Sequence, residues 1–194
     1  MKKAFLQLHV SVFLAGFTGV LGRLITLNEG MLVWWRLLLT AATMWILFSF
    51  TRKIIVVTWR QRLQLTGIGW LAALHWICFY GSIKASNVSV ALICFSSVGF
   101  FTSLTEPLLE KKPIKLQELL LGALVMAGIS IMFHFDARYK TGILLGIASA
   151  VFMAFVMVLL RKHLRQHNSE TVLTWQLSGG FITLSLFMPF YLSY

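Results

Sequence analysis

A few ionisable and polar residues lie inside long apolar runs of this 194-residue chain, and they are the ones whose chemistry needs explaining. Charge is costly in such surroundings, so each is by default a functional candidate. Arg36 follows Trp34 and Trp35, five residues into its run. It is either an interfacial arginine reaching outward beside an aromatic belt, or a fixed cation facing a cavity and meeting an anionic or polar substrate. His75 sits in the middle of a run beside Trp76, where imidazole could relay protons, bind substrate, or stay neutral and bonded to a neighbouring helix. Glu106 precedes Pro107, a residue that frees a backbone carbonyl and marks a bend. Its carboxylate either pairs with a nearby lysine or exchanges protons at a gate. Six hydroxyl residues, Ser89, Ser96, Ser97, Thr102, Ser103 and Thr105, crowd one run and could both join helices and line a polar pocket. With Tyr80 and Trp35, these define the cavity candidates: Arg36, His75, Tyr80, Ser97, Glu106 and Trp35. Arg23 lies close to a run's end, where reaching outward is the favoured role. His9 and His134 also lie nearer run ends and are weaker candidates.

No metal-ligand spacing, nucleophile elbow or Walker motif is present, and Gly67-x-Gly69 lacks the rest of a dinucleotide fingerprint. No catalytic constellation, cofactor or metal is therefore expected. Cys78 and Cys94 both fall in apolar runs, so no disulfide framework is indicated.

The elements that must hold these residues follow from composition. The chain is 58% hydrophobic and 12% charged, with a mean hydropathy of +0.82. A soluble domain carries about 25% charged residues and could not hide this much apolar surface. Spanning a bilayer takes about 20 apolar residues of helix. Seven runs have that length: 5–27, 31–50, 63–83, 88–109, 116–135, 142–160 and 172–192. Barrel strands would show short alternating segments instead. The expected fold is an all-α polytopic membrane protein of seven transmembrane helices, with the first run kept as an uncleaved helix.

Basic residues set the orientation. Lys2, Lys3, Arg52, Lys53, Arg60, Arg62, Lys111, Lys112, Lys115, Arg161, Lys162 and Arg165 fall on one side, against Lys84, Arg138 and Lys140 on the other. Cytoplasmic loops are the Lys- and Arg-rich ones, so the N-terminus is expected inside and the C-terminus outside. The net charge of +11 then reflects topology, and a nucleic-acid partner is not expected. A retinal protein is excluded because the last run has no lysine for a Schiff base.

Small residues recur at four-residue spacing: Gly142, Gly146, Ala150 and Ala154 in the sixth run, and Ser11, Ala15 and Gly19 in the first. Such stripes let helix backbones approach closely in lipid, so these are expected to be packing faces.

The third to fifth runs carry an ordered set of motifs. They read Gly67-x-Gly69-Trp70, then Tyr80-Gly81-Ser82-Ile83-Lys84-Ala85-Ser86-Asn87, then Glu106-Pro107-Leu108-Leu109-Glu110-Lys111-Lys112-Pro113, then Gln117-Glu118 and Ala127-Gly128-Ile129. With Trp35-Arg36 early in the second run, this resembles the EamA-like permeases of the drug/metabolite transporter superfamily. The resemblance implies two inverted five-helix repeats. Residues 1–135 would be the first, and residues 136–194 the first two helices of the second, so that the chain stops three helices short. Trp175-Gln176-Leu177 then falls where Trp35-Arg36-Leu37 stands. An odd number of spans per repeat requires the second copy to insert upside down. The implied function is transport of a small metabolite, amino acid-like or another small polar solute, across the cytoplasmic membrane by alternating access. The alternative is a truncated membrane subunit that packs against another protein and transports nothing. The implied partners are the lipid bilayer and a small-molecule substrate, and a homodimer is compatible with either reading.

Overall fold

The computed structural model describes residues 2–133 and 137–192, and every regular element among them is helical. In chain order these are α1 (Lys2–Leu24), α2 (Glu29–Phe50), α3 (Trp59–Ala85), α4 (Val88–Ser96), α5 (Val98–Glu110), α6 (Leu116–Phe133), α7 (Lys140–Leu164) and α8 (Ser169–Leu192), with a 3-10 turn at Ala137–Tyr139. Local chemistry explains several starts. Asn28 accepts the Met31 amide at 2.8 Å, Asn87 accepts the Val90 amide at 2.9 Å, and Thr58 with Gln61 forms a reciprocal capping box. Each satisfies amides that a helix's first turn leaves without partners.

Seven spans were expected, and six segments among the described residues, with α4 and α5 counted as one, are long and apolar enough to cross a membrane. The apolar helix Leu116–Ile131 is the short one, rising about 24 Å at ~1.5 Å per residue. The expected end of that run, His134 and Phe135, lies outside the described residues. The fourth run is also not one continuous helix, because α4 and α5 part at Ser97. Ser96 donates to the Ile93 carbonyl and Ser97 to the Cys94 carbonyl, both at 2.6 Å. Hydroxyls that bond back to the preceding turn compete with the helix ladder and bend it.

The bundle is organised around α3, which packs most extensively on α7 and α8. At the α3–α8 crossing a Cβ on Gly180 would lie 2.7 Å from the Gly69 carbonyl, and one on Gly69 would overlap the Gln176 carbonyl. The two backbones are in direct contact, which only glycine allows. At the α3–α7 crossing a Cβ on Gly142 would meet Ser86 at 2.5 Å, and one on Gly146 would meet Cys94 of α4 at 2.6 Å. Ser82 donates to the Gly142 carbonyl at 2.6 Å, and Ala150 and Ala154 are fully buried further along α7. Helix α2 runs antiparallel to α8: Trp34 donates to Ser185 at 2.9 Å and Trp45 to Ser178 at 2.8 Å.

Helix α1 is peripheral. It meets α3 and α4, where a Cβ on Gly19 would lie 3.1 Å from the Val88 side chain, while the Ala15 side chain lies outside the described residues. Its far end is tied by Arg23, which donates to the carbonyls of Ile83 and Lys84 at 3.2 and 3.4 Å. Arg23 therefore caps the end of α3, where outward reach was the favoured expectation, because the last carbonyls of a helix lack partners and attract cations. Lys84 returns the tie by bonding the Leu27 carbonyl. Large apolar side chains such as Phe13, Leu124 and Leu186 point outward, as lipid-facing residues must.

Candidate functional site

Helices α1, α2 and α3 enclose a cavity of about 250 Å³ lined by Gly22, Trp35, Arg36, Leu39 and Tyr80, among others. Arg36 reaches it from the second turn of α2. Its guanidinium lies 3.8 Å from the centroid of the Trp76 ring and donates to the Tyr80 hydroxyl at 2.6 Å. Trp76 and Tyr80 stand four residues apart on α3, so one helix face presents both, and their rings stack at 5.8 Å. Gly22 of α1 faces Tyr80 so closely that a Cβ there would overlap the ring. The arrangement holds a half-buried guanidinium over an aromatic face with donors to spare. A guanidinium has five N–H groups in a planar fork suited to a carboxylate or carbonyl. Stacking on tryptophan holds the cation in place without spending those donors.

The cavity candidates named from sequence do not all meet here. Arg36, Tyr80 and Trp35 line one cavity, with Trp35 at its exposed rim. His75 is buried and turned toward α7, with Nδ1 at 3.0 Å from the Ser149 carbonyl and 2.9 Å from the Ser149 hydroxyl. It touches the site only through its ring contact with Trp76. Ser97 is buried at the α4–α5 break and bonded within its own chain segment. Glu106 lies at the other end of the bundle, bound by Arg161 of α7 at 2.8 Å and by Lys112 at 3.2 Å. Lys112 also pairs with Glu110, and this second carboxylate does most to hold its ammonium above the ordinary lysine range. Trp76 was noted in the sequence only as the neighbour of His75. The usable signal was its four-residue spacing to Tyr80.

An all-helical bundle of apolar helices long enough to cross a bilayer defines a polytopic membrane protein. The profile of the EamA-like transporter family matches residues 2–134, more than half of the chain, and the chain belongs to that family. No curated protein and no solved structure matches it. The protein is thus a membrane transporter of the drug/metabolite type.

Proposed function

We propose that this protein moves a small polar metabolite carrying a carboxylate or carbonyl, amino acid-like or similar, by alternating access. The supporting observation is Arg36 stacked on Trp76, bonded to Tyr80 and lining a cavity. An arginine that merely reached for the interface would need neither partner. In this reading residues 1–135 form the first five-helix repeat and residues 136–194 the opening of an inverted second one. The N-terminus lies on the cytoplasmic side and the C-terminus outside. The antiparallel α2–α8 pair would then be where the two repeats face each other, beside the cavity.

Counterflow in proteoliposomes tests this, using a panel of radiolabelled amino acids, other small carboxylates and uncharged sugars. At least one carboxylate should show saturable uptake. Arg36→Lys should leave membrane insertion unchanged and weaken that substrate's apparent affinity by ~1–3 kcal/mol, the worth of a charge-assisted hydrogen bond. Full activity in Arg36→Gln would remove the arginine from the site. Absence of any saturable uptake by a correctly folded chain would favour the non-transporting subunit.

A further inference from the structure

A second cavity, of about 490 Å³, lies on the opposite flank of the bundle between α5, α6 and α7. Its size is in the range of small-molecule sites. It runs from Ser96, at the break in the fourth span, to Arg161 and Glu118 at the end of the bundle bearing Lys111, Lys112 and Lys115. Its floor is the α5–α6 crossing, where a Cβ on Gly122 would lie 2.8 Å from the Phe100 backbone. Its rim carries the exposed side chains of Leu121 and Met157, so it opens sideways, where lipid would lie.

We propose that this groove seats a phosphatidylethanolamine from the leaflet on the basic side. One end is apolar and membrane-deep, while the other offers charges of both signs. Arg161 spends Nη1 on Glu106 and keeps further guanidinium donors for a phosphate. Glu118 takes Lys115 on Oε1 at 2.7 Å, which leaves its second oxygen for an ammonium. The hydroxyls add acceptors and no free donors. Thr102 donates to the Val98 carbonyl and Ser103 to the Phe100 carbonyl, both at 2.7 Å, so their oxygens turn lone pairs to the groove. One cation among several acceptors matches a headgroup bearing both a phosphate and a primary ammonium. A purely anionic headgroup would meet the Glu118 carboxylate with nothing to offer it.

Native mass spectrometry of the full chain tests this, with phosphatidylethanolamine, phosphatidylglycerol and phosphatidylcholine supplied in equal amounts. The ethanolamine lipid should be retained in preference to the other two. Glu118→Gln removes the charged acceptor for the N–H donors that a primary ammonium has and a quaternary one lacks, and should cut the preference over phosphatidylcholine by roughly fivefold, the size of one hydrogen bond. Gly99→Leu should lower retention of every lipid without lowering the melting temperature, because a Cβ at Gly99 has no neighbour within 4 Å and its side chain would fill the groove. Equal retention of all three lipids, a preference for phosphatidylglycerol, or ethanolamine-lipid retention unchanged in both variants would each overturn the proposal.

Discussion

At the scale of single residues, Arg36 is defined by what holds it. A guanidinium sandwiched between a cavity and the Trp76 face, with Tyr80 as acceptor, has little freedom to swing toward the interface. If Tyr80 works by orienting Arg36, the two side chains act as one unit, and residues in direct contact show coupled energies. Tyr80→Phe keeps the ring stacked on Trp76 and removes only the hydroxyl. In a cycle with Arg36→Gln, substrate affinity should show a coupling of ~1 kcal/mol, that of one hydrogen bond to a charged group facing water on one side. Strictly additive losses in counterflow would show that Tyr80 contributes independently of the arginine. His75 differs in kind, since its engagement with Ser149 makes it a tie between α3 and α7.

Between elements, the contacts that matter most are backbone on backbone. Gly67 and Gly69 stand two residues apart on α3 and meet opposite surroundings. A Cβ at Gly67 has nothing within 4 Å, while one at Gly69 would overlap the Gln176 carbonyl and lie 2.5 Å from the Gly180 amide. Alanine inside a helix is favoured over glycine by ~0.5–1 kcal/mol. Gly67→Ala should therefore hold or raise the melting temperature in detergent, and Gly69→Ala should lower it by prising α8 from α3. Shifts of the same sign in both variants would contradict this α3–α8 packing. At the basic end, Glu106 joins α5 to α7 through Arg161, and Lys53 bonds Glu170 at 3.2 Å, clasping the α2–α3 loop to the start of α8. These pairs remain open to water on one side and are therefore weak; they position helix ends more than they stabilise them.

The whole molecule has one end rich in cations, and the proposed orientation rests on that bias. In a chain with Cys78 and Cys94 replaced by alanine, an impermeant maleimide added to sealed cells should label Lys140→Cys. It should spare Lys53→Cys and Lys112→Cys until the cells are opened. Labelling of all three from outside would refute the orientation. Protection of all three until the cells are opened would mean that the short helix α6 does not cross, because Lys140 would then lie on the same side as Lys53 and Lys112.

What could be read without coordinates and what could not divides along physical lines. Hydropathy marks every apolar run, because a backbone crossing lipid must bond within itself and the side chains around it must be apolar. That made the helical membrane class, the family resemblance and the outlying Arg36 legible in the order of residues. The Asn87 start of α4 was visible too, since a cap acts over three residues. The break at Ser97 was not, because hydropathy stays high through it and only the hydroxyls' competition for the Ile93 and Cys94 carbonyls interrupts the helix. Nor could spacing decide which candidates share a cavity. Arg36 and Tyr80 lie 44 residues apart and meet because α2 leans on α3, while His75, one turn of α3 away, turns to α7 instead. Nothing local marks Gly179 and Gly180; it is the approach of α3 that makes any side chain there a collision. Local pattern determined which segments are helices and which residues are costly in lipid. The meeting of faces from distant segments, which no local free energy encodes, was decided by the tertiary packing alone.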